Sequence, residues 1–152
     1  MRKKEQEITD RSKIEEVIHN STICRLALSD NNIPYIIPVN FGYENNVIYI
    51  HSALEGRKID IIHNNPNVCI EFDIKAEIVA ADKACDWGIK YQSVIGFGNA
   101  SIIKNKDDKL YALRILMKQY SDEVFAFSDD AVRRTAIIKV DLESITGKQS
   151  GY

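Results

Sequence analysis

Apolar and polar positions alternate with a period of two over much of this chain, and turn helical in only a few windows. Val68–Ile74 (VCIEFDI) alternates cleanly as a half-buried strand does, and Thr22–Leu28 (TICRLAL) and Val47–Ser52 also read as strands. Tyr35–Tyr43 (YIIPVNFGY) is a further strand with Pro38 in its middle. Proline has no N–H to give to a ladder, so that place is an edge, a bulge or an interruption. Tyr91–Ile103 is a long strand. Ser93, Ile95, Phe97, Asn99 and Ser101 share one face; Val94, Gly96, Gly98, Ala100 and Ile102 share the other. Alternate glycines predict strong curvature or close backbone approach. Ala136–Leu142 is the last strand. Asp30-Asn31-Asn32 and Asn45-Asn46 read as tight turns, because asparagine tolerates the left-handed conformation.

Three windows are helical. Ser12–His19 puts Ile14, Val17 and Ile18 on one face, and Asp107–Tyr120 aligns Leu110, Leu113, Met117 and Tyr120. A third helix follows Ser52 and runs to about Asn64, with Pro66 marking its end. Ser12 with Glu15, and Ser52 with Glu55, have capping-box spacing. Lys75–Ile89 shows no period and reads as a loop or irregular crossing around Trp87; the polar tail after Leu142 reads as mobile or edge-lying. Six strands with hairpin links and two or three helices predict a mainly β (α+β) fold. The expected form is a small six-stranded antiparallel barrel with flanking helices, one domain over residues 1–152.

Composition narrows the function classes. At 45% hydrophobic and 28% charged residues the chain is globular. A net charge of −2 gives no cationic field for nucleic acid. Cys24, Cys69 and Cys85 are scattered and form no CxxC pair, which predicts reduced thiols in a cytoplasmic protein. The charged start MRKKEQEITD does not read as a signal peptide, and no apolar run approaches the roughly 20 residues of a membrane span. The three histidines lack metal-ligand spacing, so no metal is expected.

The chemistry concentrates in Ile48–Lys58, IYIHSALEGRK. A helix starting there carries Arg57 and Lys58 near its positive dipole end, which disfavours cations by roughly 0.3–1 kcal/mol each. A bound phosphate would offset that repulsion. The plainer alternative is that both cations point into water. His51, directly ahead, is either a residue that touches a cofactor ring or donates a proton, or a histidine bonded locally at a strand end. Pro38, Val39, Asn40 and Phe41 mark a strand interruption that frees backbone groups for a planar ligand, or else a plain edge bulge. Trp87, Tyr91 and Ser93 supply an aromatic wall or interface; a core tryptophan is the competing reading. No nucleophile elbow, phosphate-binding glycine loop or carboxylate dyad is present.

Taken together, EITDRSKIEEVI, CRLAL, YIIPVNFGY, IYIHSALEGRKID, CDWGIKYQSVIGFGNA and the final TGK resemble the FMN-binding split-barrel family related to pyridoxamine 5′-phosphate oxidase, in its nitroimidazole-resistance branch. The resemblance covers nearly the whole chain. It implies a homodimer with FMN at the subunit interface. It also implies that Arg57 and Lys58 hold the phosphate, and that Pro38, Val39, Asn40 and Phe41 run along the isoalloxazine. His51, Ser52 and Ala53 would line the ring and ribityl chain; Trp87 and Tyr91, Ser93 and Val94 would close the pocket, from the other subunit. The chain departs from the oxidase at its end, DLESITGKQSGY, which lacks the oxidase's arginine–histidine pair. That disfavours pyridoxamine phosphate as substrate. The implied activity is flavin-dependent oxidoreduction, with a transient nicotinamide or other donor and a small acceptor such as a nitroaromatic. A flavin carrier or sensor without turnover is the alternative. Haem binding, known in some split barrels, ranks third, because no His–Cys or His–Met pair stands out.

Overall fold

A computed structural model describes residues 3–152. In chain order the elements are β1 (Glu7–Ile8), α1 (Arg11–Asn20), β2 (Cys24–Asp30), β3 (Ile33–Val39), β4 (Gly42–Glu44), β5 (Val47–Ser52), α2 (Arg57–Asn64), β6 (Asn67–Val79), β7 (Gly88–Ile103), α3 (Lys106–Lys118), α4 (Asp129–Arg134) and β8 (Ala136–Ser150). The turns fall where asparagine pairs predicted them. Asn31 and Asn32 have φ of 49° and 67°, and Asn45 and Asn46 have 51° and 66°.

All strand pairs are antiparallel, and the sheet runs β3-β2-β6-β7-β8-β5-β4, with β1 added to β8. The two ends of that path, β3 and β4, are halves of one segment separated only by Asn40 and Phe41. Before the break the segment pairs with β2, Val39 against Cys24; after it, with β5, Gly42 against Tyr49. A single strand that changes partner thus closes the barrel. Pro38 stands just before the change, on the free edge of β3. The core fills the interior with Leu26, Phe41, Ile48, Ile50, Ile70, Phe72, Val94 and Ile138, and α1 and α2 add Ile14, Val17, Ile18, Ile59, Ile61 and Ile62. A smaller cluster under α3 and α4 joins Tyr49, Ala112, Leu113, Val132 and Ile137.

The described strands number eight where six were expected. The extra two are β1 and the split of Tyr35–Tyr43 into β3 and β4. Two expectations fail in part, because backbone pairing runs on past the stretches that an apolar period marks and leaves only residues 80–87 of Lys75–Ile89 outside the strands. Lys75–Ile89 is an arm in which β6 kinks at Lys75 (φ 56°) and continues to Val79, and β7 starts at Gly88. The tail is the second half of β8, paired residue by residue from Tyr91–Ser150 to Phe97–Ser144. Alternate glycines on β7 do mark close approach, since a Cβ on Gly98 would collide with the Asp141 carbonyl. The short α4 was not foreseen.

Candidate functional site

Each helix start shows what its sequence had to satisfy. Asp10 caps α1, accepting from the Ser12 N–H at 2.9 Å and the Ser12 hydroxyl at 2.8 Å. Those bonds hold the Asp10 carboxyl below its ordinary pKa. The expected Ser12–Glu15 box does not form, and Glu15 pairs with Arg11 at 3.0 Å. Asn105 caps α3 by accepting from Asp107 and Asp108, and Ser128 caps α4 by accepting from Ala131. α2 differs. Its N-cap is Gly56, at φ 131°, with no side-chain cap. The expected Ser52–Glu55 box is absent because Ser52 still belongs to β5 and the helix opens five residues later, at Arg57.

Arg57 and Lys58 are therefore the first two residues of an uncapped helix, and neither has a carboxylate partner among the described residues. Arg57 lies over the ring of Tyr35 on β3, its guanidinium carbon 4.5 Å from the ring centre. Such a contact contributes roughly 0.5–1 kcal/mol at an exposed site. That is enough to offset the dipole penalty on one cation. Asp60 is the acid of the same first turn, but it forms no ion pair with Lys58 among the described residues. Ser52, 8% exposed at the head of the loop into α2, has a buried hydroxyl with no hydrogen-bond partner. An orphan buried hydroxyl is costly unless something outside the chain completes it.

The strand interruption lies next to the end of β5, the strand that leads into the loop before α2. Gly42 pairs with Tyr49, so Asn40 and Phe41 stand next to the end of β5, where His51 is exposed. Pro38, Asn40 and Ala53 are exposed and Val39 half-buried. Phe41 departs from expectation. Its side chain is fully buried, edge-on to Phe72 with ring centres 5.0 Å apart, and belongs to the core. Its N–H is not free for a ligand either: it donates to the Tyr120 hydroxyl at 2.9 Å, which donates to the Thr22 carbonyl at 3.0 Å. Tyr120 thus fixes the break from the end of α3. Its place in an apolar stripe gave no sign of that role; only its hydroxyl could have hinted at it.

Trp87, Tyr91 and Ser93 are not brought to Arg57 within one chain by any of these contacts. α2 leads into Pro66, whose carbonyl accepts from the Ala100 N–H at 2.8 Å. Along an extended strand Ser93 lies about 23 Å, and Trp87 about 43 Å, from Ala100. Trp87 is 55% exposed and its indole N–H donates to the Ala81 carbonyl at 2.6 Å, so it is no core residue. Tyr91 is half-buried, with the Lys148 ammonium 5.3 Å from its ring centre. Val94 is fully buried in the barrel core, so its side chain lines no surface pocket. A groove of about 300 Å³ between α1 and α3, lined by Glu15, His19, Tyr43 and Lys118, contains none of the expected site residues. Among the described residues no group of three or more His, Cys, Asp or Glu is placed to hold a metal. Burial pushes the Cys24 thiol up to about 12. No described helix is long and apolar enough to cross a membrane.

A closed antiparallel barrel of this topology is a split barrel in form. The sequence profile of pyridoxamine 5′-phosphate oxidase matches residues 10–149, and the chain belongs to that family. It is 35% identical to a candidate 5-nitroimidazole antibiotic resistance protein from Bacteroides thetaiotaomicron, covering 94% of this chain and 86% of that one, with a TM-score of 0.86. The FAD and heme binding protein of Mycobacterium smegmatis shares the fold at 17% identity, covering 97% of this chain and 74% of that one, with a TM-score of 0.86. An uncharacterised Rhizobium meliloti protein is 30% identical over 64 residues, and that match spans 42% of each chain.

Proposed function

We propose that this chain binds FMN and acts as a homodimeric, FMN-dependent oxidoreductase. The carrying observation is the α2 start: no side-chain cap, two cations without carboxylate partners, and an orphan Ser52 hydroxyl at the head of the loop that leads into it. Those donors suit a terminal phosphate, which takes several charge-assisted hydrogen bonds. Arg57 and Lys58 would hold the phosphate and Ser52 would complete its bonding. Val39 and Asn40 at the strand break would border the ring, and His51 would sit against the reacting region. When bound, the flavin supplies the redox chemistry, accepting electrons from a donor such as a reduced nicotinamide and passing them to an acceptor. The chain's own task is to orient it, exclude water and present the His51 imidazole for proton movement. The likeness to a candidate nitroimidazole-resistance protein favours a nitroaromatic acceptor.

The dimer reading rests on what one copy leaves open. Ile36, Ala27, Cys69 and Phe97 lie in one cross-strand row on the outer sheet face, with Ile36 60% and Phe97 55% exposed. The arm adds Ile78, Trp87 and Ile89, all exposed. A second copy seated there would cover these apolar groups and bring Trp87, Tyr91 and Ser93 to the partner's α2.

One absorbance spectrum of the purified protein tests the cofactor. Flavin bands support the proposal, and a Soret band in their place overturns it. Titration with NAD(P)H, then a nitroaromatic, separates an oxidoreductase from a carrier, whose flavin would fail to cycle. Light scattering that found an FMN-loaded monomer at micromolar concentration would remove the shared site.

A further inference from the structure

Tyr35 is the first aromatic residue of β3, 22 positions before Arg57, and nothing in the local sequence links the two. With Ile37 and Val39 it packs inward against the core, while Ile36 is exposed on the opposite face. The inward-facing row ends in a ring whose face is covered by the Arg57 guanidinium at 4.5 Å. β3 is the free edge of the sheet, and this contact ties it to the start of α2.

We propose that Tyr35 is a positioning residue for the phosphate-binding cation. It holds the guanidinium of Arg57 beside the α2 N-terminus before any anion arrives. The inference rests on the phosphate reading of that helix start. A free arginine side chain populates many rotamers, and fixing one costs binding free energy. Stacking on a ring that is itself anchored in the core removes much of that cost in advance. The contact therefore acts on flavins with a terminal phosphate. Riboflavin, which has the same ring and ribityl chain but no phosphate, gains nothing from it. Tyr35 thus contributes to selection of FMN over the unphosphorylated vitamin, without touching the isoalloxazine.

The test is a pair of titrations, FMN and riboflavin, into apo-protein of the parent, Tyr35→Leu, Tyr35→Phe and Arg57→Ala. Tyr35→Leu keeps an apolar side chain on the core face and removes the π-surface; Tyr35→Val, better suited to a strand, replaces it if the leucine variant does not fold. Loss of the ring is expected to weaken FMN binding roughly three- to tenfold, the cost of ordering one long side chain, with riboflavin unchanged. Tyr35→Phe restores FMN affinity to within about twofold, because the face of the ring carries the contact. In the Arg57→Ala background, loss of the ring has no further effect. If FMN and riboflavin weaken together, Tyr35 is only a packing residue and the inference falls. If Tyr35→Leu leaves the FMN-to-riboflavin ratio as in the parent while Arg57→Ala lowers it, the inference falls and the phosphate reading stands. If Arg57→Ala also leaves the ratio unchanged, the phosphate reading falls and takes this inference with it.

Discussion

α2 and α3 start in opposite ways. α3 opens on Asn105, whose side chain accepts two backbone N–H groups, and continues into Asp107 and Asp108, whose charges suit the dipole. α2 opens on a glycine at φ 131°, offers no side-chain acceptor, and continues into Arg57 and Lys58, whose charges oppose it. The α3 start is complete within the chain. The α2 start has donors and positive charge in excess, with part of that excess absorbed by Tyr35. The proposed phosphate would supply the acceptor and the negative charge that the α2 start lacks.

The strongest way to break this contrast is to remove the excess charge. Arg57→Ala with Lys58→Ala is expected to weaken FMN binding by about 10²–10⁴-fold, from the loss of charge-assisted bonds worth roughly 1.5–3 kcal/mol each. Equilibrium titration measures it, and unchanged affinity would reduce both cations to a solvated face. On the same side of the contrast, His51→Ala is expected to keep the protein folded and flavin-loaded. Acceptor reduction should slow by at least about a hundredfold if the imidazole moves a proton. Stopped-flow reoxidation by a nitroaromatic measures this, and a parental rate would leave His51 as wall only.

Ser52→Ala sharpens the contrast. In the apo-protein the hydroxyl has no partner to lose, so thermal stability should hold or rise slightly. FMN affinity should fall about fivefold, one ordinary hydrogen bond. A drop in apo stability with no change in affinity would show that the hydroxyl serves the fold. The smallest effect on binding belongs to the opposite helix start. Asn105→Ala should cost about 1 kcal/mol of stability, read by denaturant unfolding, and leave FMN affinity as it was. An equal loss of FMN affinity there would mean that helix starts in general, and not α2 in particular, govern the site.

How legible these features were depends on their range along the chain. Both asparagine-pair turns, β5 and the C-terminal end of α2 near Pro66 could be read locally, because turn chemistry and two- or 3.6-residue periods act within a few residues. Arg57 and Lys58 were legible as an anomaly of charge against dipole. The cap at α1 was displaced by two residues, since Asp10, Ser12 and Glu15 all offer capping atoms and only the folded backbone selects among them. That the side chains of Phe41 and Val94 belong to the core was hidden for a similar reason. Period two assigns a residue to a face, but which face is the barrel interior follows from the sheet's closure.

The sequence by itself determined the local elements that carry the site: a strand broken after Pro38, a strand ending in His51 and Ser52, and a helix opening on two cations. Their joining was decided by the tertiary structure. Closure of the barrel between β3 and β4, the bond from Phe41 to Tyr120, the stacking of Arg57 on Tyr35 and the pairing of Ser144–Ser150 with β7 all join residues far apart in the chain. Such pairings have no local signature. Their free energy comes from burying and satisfying groups against partners that only the completed barrel brings within reach.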